Sequence, residues 1–320
     1  MAILLLKFLI ISIIITFAGY KLTVSGDRIG DETGFGSNMV GFILLASITS
    51  LPELVTAISA AHLKSANLVF GNMIGSNIFN MVVIAIVVVL GSRKMHEAKS
   101  ENIFNASMGL FIVALAGILT FLKLKISGVI LGIFYIAIIY LSFKFENKHN
   151  KKEEKTSLKI KELWKEYLLF LFLSAIIVIS GYYLTIICDK MATTPFNINS
   201  KTIVLGSTFV GQLFLAISTS LPELIVSISA VKIGKIDMAY ANVFGSNIFN
   251  IFILGISSFF YPGNMFASVS PSILFSILIF FILVSITIGS LKYRIKSKFR
   301  IDAYLLILFY LLNLYYIFSK

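Results

Sequence analysis

Charge is what this sequence has least of. Only 13% of its 320 residues are Asp, Glu, Lys or Arg, about half the share of an ordinary soluble domain. Hydrophobic residues make up 58%, and the mean hydropathy is +0.95. That balance excludes a soluble globular enzyme, a disordered chain and a nucleic-acid-binding domain. The net charge of +12 does not restore the last of these. In so apolar a chain an excess of Lys and Arg marks cytoplasmic loops. Cysteine is nearly absent too. Cys188 stands alone, which excludes an intramolecular disulfide and a cysteine metal cluster. Histidine is scarce, and His62, His96 and His149 are far apart and near segment ends or in loops, against a histidine metal site. Neither His-Glu-x-x-His nor Gly-x-Ser-x-Gly occurs, so the common hydrolytic motifs are missing. The chain reads as not an enzyme, with no cofactor and no nucleic-acid partner.

What it has instead is long apolar runs. A membrane-spanning helix takes about 20 mostly apolar residues. Ten segments qualify: about 2–20, 38–61, 67–91, 103–122, 126–143, 167–188, 202–231, 237–260, 271–291 and 301–318. The first reads as a span rather than a signal peptide, because its apolar core is long and no convincing small-residue cleavage site follows. Twenty of the 27 Lys and Arg residues fall in loops after odd-numbered spans and seven on the other side. That bias places the odd loops in the cytoplasm and both termini outside. The hydrophilic stretch 144–166, with Lys-Lys-Glu-Glu-Lys at 151–155, reads as a solvated cytoplasmic linker. The expected partners are the lipid bilayer and transported cations, in a multi-pass prokaryotic cell (plasma) membrane protein. No obligatory protein partner is evident.

Residues 41–80 align with 211–250 without a gap, at an offset of 170, and nineteen of the 40 positions are identical. The chain is therefore internally duplicated. Residues 1–143 form the first repeat and 167–320 the second, with 144–166 between them. Each repeat holds five spans, an odd number, so the second enters the membrane from the opposite side to the first. The expected fold is an all-α integral membrane protein of ten transmembrane helices, arranged as two inverted-topology five-helix repeats. That architecture is typical of secondary transporters, with the site at the repeat interface near the midplane.

Glu53 and Glu223 are the acidic residues deep inside apolar spans; others, such as Asp27, Glu97, Glu153 and Asp302, read as loop or segment-end residues. A carboxylate at the bilayer centre costs about 2.5–3.5 kcal/mol by insertion scales, and two at equivalent repeat positions point to function. Pro52 and Pro222 precede them. Proline in a helix interior deprives the carbonyl four residues back of its donor, here those of Ile48 and Ser218, and local distortion can also free those of Thr49 and Thr219. Thr49 and Glu53 share a helix face, as do Thr219 and Glu223. Ser76 with Asn80, and Ser246 with Asn250, line up in the same way. Gly75 and Gly245 permit close helix approach or a kink. Asn77 and Asn247 are equally well explained by interhelical hydrogen bonding. The facing repeats would gather two Glu with hydroxyl, amide and carbonyl oxygens, the shell that hard cations such as Ca²⁺ take. With both Glu ionised the charge is −2, which one Ca²⁺, two Na⁺ or two H⁺ would neutralise.

Thr-Ser-Leu-Pro-Glu at 49–53 and 219–223, and Gly-Ser-Asn-Ile-Phe-Asn at 75–80 and 245–250, resemble the two α-repeats of the calcium/cation antiporter superfamily, specifically the prokaryotic sodium/calcium exchangers. The resemblance implies that Glu53 and Glu223 chelate Ca²⁺ with the backbone carbonyls of Thr49 and Thr219. It implies sodium sites built from the carbonyls of Ala46 and Ala216 and the hydroxyls of Ser50, Ser76, Ser220 and Ser246. Asn80 and Asn250 would complete the central site, and the first two helices would slide as a gate. Two departures stand out. The family often carries an acid at one of the motif-ending positions, where this chain has Asn80 and Asn250. It also commonly has Gly before Thr-Ser-Leu-Pro-Glu, where this chain has Ile48 and Ser218. The expected function is exchange of Ca²⁺ for Na⁺ by alternating access. The alternatives are an H⁺-coupled antiporter of Ca²⁺ or another divalent cation and, less well matched, a cation channel.

Overall fold

A computed structural model of the chain describes residues 1–33, 42, 46–91, 100–149, 164–198, 201–232, 234–293 and 301–319. Among the described residues the fold is all-helical apart from one pair of short antiparallel strands. Helices α1 (Ala2–Thr33), α2 (Ala46–Thr49), α3 (Leu51–His62), α4 (Ala66–Leu90), α5 (Ser100–Leu122) and α6 (Ser127–His149) make up the first half. The second half opens with α7 (Trp164–Thr193) and the hairpin of β1 (Phe196–Ile198) and β2 (Lys201–Ile203), in which Phe196 pairs with Ile203. Then come α8 (Ser207–Val210), a π-helical turn at Gly211–Leu215, α9 (Ala216–Thr219), α10 (Leu221–Lys232), α11 (Ile236–Phe260), α12 (Ser272–Tyr293) and α13 (Ile301–Phe318).

Among the described residues, eight helices are long and apolar enough to cross a bilayer: α1, α4, α5, α6, α7, α11, α12 and α13. The segment α8–α10 adds a bent ninth, turning by 44° between Thr219 and Leu221. The second expected span, 38–61, is described only at Phe42 and from Ala46 onward, where it forms α2 and α3. Several boundaries differ from the hydropathy reading. α1 continues to Thr33, which places Asp27 in a helix rather than a loop. α6 continues to His149, so the stretch expected as a solvated linker is helical at its start; residues 150–163 lie outside the described residues, as do Glu97 and Glu153. The seventh span begins at Ser207, because Lys201–Ile203 is a strand.

The core consists of α4 and α11 packed on each other. Both have buried residues on every face, as a helix must when it is surrounded by other helices. α4 also packs on α12 and α13, and α11 on α5 and α6, so the two halves repeat one contact pattern. α1 and α7 lie along each other at the side of this core. Large apolar side chains face outward, among them Ile3, Phe121, Ile136 and Tyr315. A soluble protein rarely exposes so much contiguous apolar surface, whereas lipid accepts it.

Two breaks interrupt the repeats at equivalent places. Ser50 has φ −88° and ψ 12°, and Ser220 has φ −91° and ψ 6°, both in the sparsely used bridge region. Helical bonds persist on either side: Ser50 N–H to the Ala46 carbonyl (3.1 Å) and Leu54 N–H to the Ser50 carbonyl (3.1 Å), with Ser220 to Ala216 (3.0 Å) and Leu224 to Ser220 (3.2 Å) in the second copy. Pro52 and Pro222 therefore sit in the first turn of new helices, α3 and α10, rather than in a helix interior. There the missing N–H costs little and the fixed φ suits the helix start.

Glycine lets the core helices reach these breaks. A Cβ on Gly75 would lie 2.6 Å from Gln212 Cα and 3.0 Å from Ala216 Cβ; one on Gly245 would overlap the Phe42 carbonyl oxygen and lie 2.8 Å from Ala46 Cβ. Each motif glycine is thus the point where α4 or α11 abuts the broken helix of the other half. Gly245→Ala is expected to destabilise the detergent-solubilised protein by about 1–3 kcal/mol through overpacking, seen as a lower melting temperature. Gly132→Ala, inside α6 at a position with nothing within 4 Å, should melt at or slightly above the parent. Equal melting of the two variants would contradict this packing.

Candidate functional site

Breaking the helices at Ser50 and Ser220 puts a hydroxyl and a carboxylate on each side of the interface between the halves. Ser50 Oγ donates to Glu223 Oε1 and Ser220 Oγ donates to Glu53 Oε1, both at 2.9 Å. Each broken helix therefore holds the carboxylate of the other. Glu53 and Glu223 are fully buried, and their charges act on one another. Thr219 also faces Glu53, while Thr49 and Ser246 face Glu223.

Only one oxygen of each carboxylate is hydrogen-bonded. Glu53 Oε2, Glu223 Oε2, Ser76 Oγ, Asn80 Oδ1 and Asn250 Oδ1 are buried without a partner. Leaving a buried polar atom unpaired costs about 1–3 kcal/mol, and more for a charged group. These five oxygens lie on α3, α4, α10 and α11, and Asn247 Nδ2 and Asn242 Oδ1 on α11 are unpaired as well. The five oxygens all belong to residues that the repeat motifs single out.

The asparagines show how the amide oxygens come to be free. Asn80 Nδ2 donates to Asn247 Oδ1, and Asn250 Nδ2 donates to Asn77 Oδ1, both at 3.0 Å. Asn77 Nδ2 reaches the Asn247 carbonyl at 3.2 Å. Asn77 and Asn247 thus make the interhelical contacts. They engage the NH₂ groups of Asn80 and Asn250, while the Oδ1 atoms of those two residues and Nδ2 of Asn247 are left unpaired.

The remaining expected residues are all buried at the same interface. Thr49 Oγ1 donates to the Ala46 carbonyl (3.2 Å) and lies 3.5 Å from Ser246 Oγ. Thr219 Oγ1 reaches the carbonyls of Leu215 (3.0 Å) and Ala216 (3.4 Å) and Asn72 Oδ1 (3.3 Å). Each threonine hydroxyl therefore bonds back to its own segment, and that of Thr219 also donates across to α4. The carbonyls of Ala46 and Ala216 each accept both this hydroxyl and a backbone N–H.

Sequence reasoning passed over several polar residues here. Asn72 Nδ2 donates to Thr56 Oγ1 (2.8 Å) while its Oδ1 accepts from Thr219, tying α3 to α9. Its signal was present, since Asn72 and Asn242 are among the repeat identities. Ser12 on α1 donates to Ser218 Oγ at 3.0 Å, and Ser218 holds one of the two positions where glycine was expected. At the other, Ile48 packs with Ala18, Leu173 and Ile177. Gln212 bonds to Ser276 (2.8 Å) and Asn313 (2.6 Å) in a buried cluster. Asp302, read from sequence as a segment-end residue, is buried in the first turn of α13 and accepts from Ser290. Glu101 is buried as well and accepts from Ser100 at 3.2 Å.

Among the described residues no group of three or more His, Cys, Asp or Glu side chains could hold a metal ion. A cation at this interface would be held by two carboxylates and neutral oxygens. Such an all-oxygen set suits a hard ion.

The sequence matches the sodium/calcium exchanger protein family over residues 3–144 and 166–319. It is 30% identical over 246 residues to the uncharacterized membrane protein MJ0091 of Methanocaldococcus jannaschii, covering 76% of this chain and 78% of that one. It is 27% identical over 276 residues to the sodium/calcium exchanger MaX1 of Methanosarcina acetivorans, covering 74% and 77%. Among solved structures, the sodium-calcium exchanger NCX_Mj superposes with a TM-score of 0.65 at 26% identity, over 98% of each chain. The H⁺/Ca²⁺ exchanger CAX superposes with a TM-score of 0.70 at 14% identity, over 99% of this chain and 88% of that one, a likeness that speaks to the fold alone. With the family matched over nearly its whole length, this chain is a multi-pass, all-α membrane transporter belonging to the sodium/calcium exchanger protein family.

Proposed function

We propose that the protein is a secondary active antiporter that exchanges Ca²⁺ for Na⁺ across the cell membrane by alternating access, binding cations near the midplane between Glu53 and Glu223. The observation that carries this reading is the crossed pair of carboxylates. Each is held through one oxygen by the opposite half, with its second oxygen buried and unpaired. Ca²⁺ takes 6–8 oxygen ligands in irregular geometry. Glu53 Oε2, Glu223 Oε2 and the amide oxygens of Asn80 and Asn250 supply part of such a shell, and the carbonyls of Thr49 and Thr219 complete it. Na⁺ binds the same carboxylates with Ser76 and the other serines, so the two cations compete for one set of charges. A relative that is itself a sodium/calcium exchanger supports Na⁺ as the counter-ion.

The second reading keeps the site and changes the driving ion to H⁺. One observation favours it: the motif-ending positions hold amides, Asn80 and Asn250, so protonating two carboxylates removes the site's acidic charge. In both readings the chain crosses the membrane ten times as two inverted repeats, with termini outside and residues 144–166 cytoplasmic. The repeated contact pattern of α4 and α11 and the paired breaks support that arrangement.

Purified protein in liposomes loaded with Na⁺ should accumulate radiolabelled Ca²⁺, and liposomes carrying only an outward H⁺ gradient should not. Uptake driven by H⁺ alone would transfer the chain to the second reading. Glu53→Gln and Glu223→Gln should each abolish uptake while the protein still elutes as a folded species. Full transport by either variant would remove the carboxylates from the site. For orientation, Lys155→Cys should react with an impermeant maleimide only from the cytoplasmic side, with the native Cys188 thiol buried. Labelling from outside would reverse the topology.

A further inference from the structure

We propose that α1 and α7 together hold an anionic phospholipid of the outer leaflet, with its acyl chain in the groove between them and its phosphate between Lys7 and Lys190. The two helices lie along each other, and the amino-terminal end of α1 meets the carboxy-terminal end of α7. There they form a groove of about 350 Å³. Leu4, Lys7 and Ile11 line it from α1, and Tyr183, Ile187 and Lys190 from α7. Residues three and four apart share one helix face, so each helix turns one stripe to the groove. Each stripe carries a single lysine among apolar side chains. The leaflet follows from the orientation proposed above; the groove's chemistry does not depend on it.

Both lysine side chains are exposed, and among the described residues neither has an anionic partner. Asp189, beside Lys190 in sequence, is engaged by Ser65 at the start of α4. Lys7 stands about 8 Å along α1 from its first residue. A lysine at that depth on a lipid-facing surface is costly unless its ammonium reaches the interface or meets an anion. Lys190, in the last turn of α7, is nearer the surface. A lipid phosphate meets both lysines at the edge of the apolar layer, and the apolar walls take the chain attached to it. A zwitterionic lipid offsets its phosphate with its own ammonium, so two lysines favour a lipid of net negative charge. Basic residues are scarce at this end of the protein, where two of the seven assigned to it converge on one groove. The helices so joined belong to different halves. Ser12 of α1 bonds to Ser218 beside the second break, and α7 packs at Gly181 on Val55 of α3. A lipid spanning α1 and α7 therefore stabilises the pair on which both broken segments rest.

The test is the melting temperature of the purified protein in a neutral detergent, titrated with phosphatidylglycerol or with phosphatidylcholine of the same acyl chains. Phosphatidylglycerol is expected to raise it by about 3 °C more than phosphatidylcholine does. Lys7→Gln/Lys190→Gln is expected to abolish that difference. Lys64→Gln/Lys125→Gln, which removes two exposed lysines assigned to the same side, is expected to keep it. Equal shifts with the two lipids would overturn the proposal, and so would an unchanged difference after substitution of Lys7 and Lys190. Inorganic phosphate that matched phosphatidylglycerol would overturn it too, since a free anion needs no apolar groove. The headgroup comparison on the parent decides the matter even if the substituted protein fails to fold. No ion movement is read, so failure here leaves the exchange proposal standing, and failure of Na⁺-driven uptake leaves the lipid site standing.

Discussion

The structure depends on two carboxyl groups kept inside an apolar layer, each bonded to a hydroxyl and, among the described residues, to no cationic side chain. Glu53 and Glu223 are tolerable there because each accepts a serine hydroxyl from the opposite half. The arrangement is reciprocal, so neither repeat can hold its own carboxylate alone. This makes the interface between the halves the fold's central contact and, in the proposed function, its binding surface. The remaining carboxylate oxygens stay unpaired, at a cost that a bound cation removes.

The helix breaks follow from the same requirement. A hydroxyl three residues before each Glu reaches across the interface because the chain turns at Ser50 and Ser220. Proline fits immediately after such a turn and helps to fix where the second segment begins. Gly75 and Gly245 then allow α4 and α11 to approach these turns closely, bringing Ser76, Asn80, Ser246 and Asn250 to the same place. The two halves are not identical around it. Ser218 reaches α1 by a hydrogen bond, whereas Ile48 makes apolar contacts with α1 and α7. Gln212 anchors the second half's π-turn to Ser276 and Asn313, where the equivalent residue of the first half is Phe42.

Much of this was legible in the sequence, for a physical reason. Polar residues in apolar spans are costly, so Glu53, Glu223, Ser76, Asn80 and their second copies stood out against their neighbours. The exact offset of 170 then paired them. Helix ends were less legible. Hydropathy detects the apolar layer, not the hydrogen-bonded helix, which in α1 and α6 continues through polar residues such as Ser25 and Lys144. The strand pair Phe196–Ile198 and Lys201–Ile203 was missed because the first strand fell in the connection after 167–188 and Ile203 read as part of the apolar run 202–231. The partnerships of Asn72, Gln212 and Ser12 were not legible. They depend on which faces of distant helices meet, and spacing along one helix does not reveal that.

The most direct measurement is the position of a bound divalent ion. Crystals of the protein soaked in Sr²⁺, an electron-dense substitute for Ca²⁺, would give an anomalous signal that locates the ion independently of the protein atoms. The account predicts a single strong peak at the interface of the two halves, within about 2.3–2.6 Å of a carboxylate oxygen of both Glu53 and Glu223. A strong peak elsewhere, with none between these two residues, would contradict it.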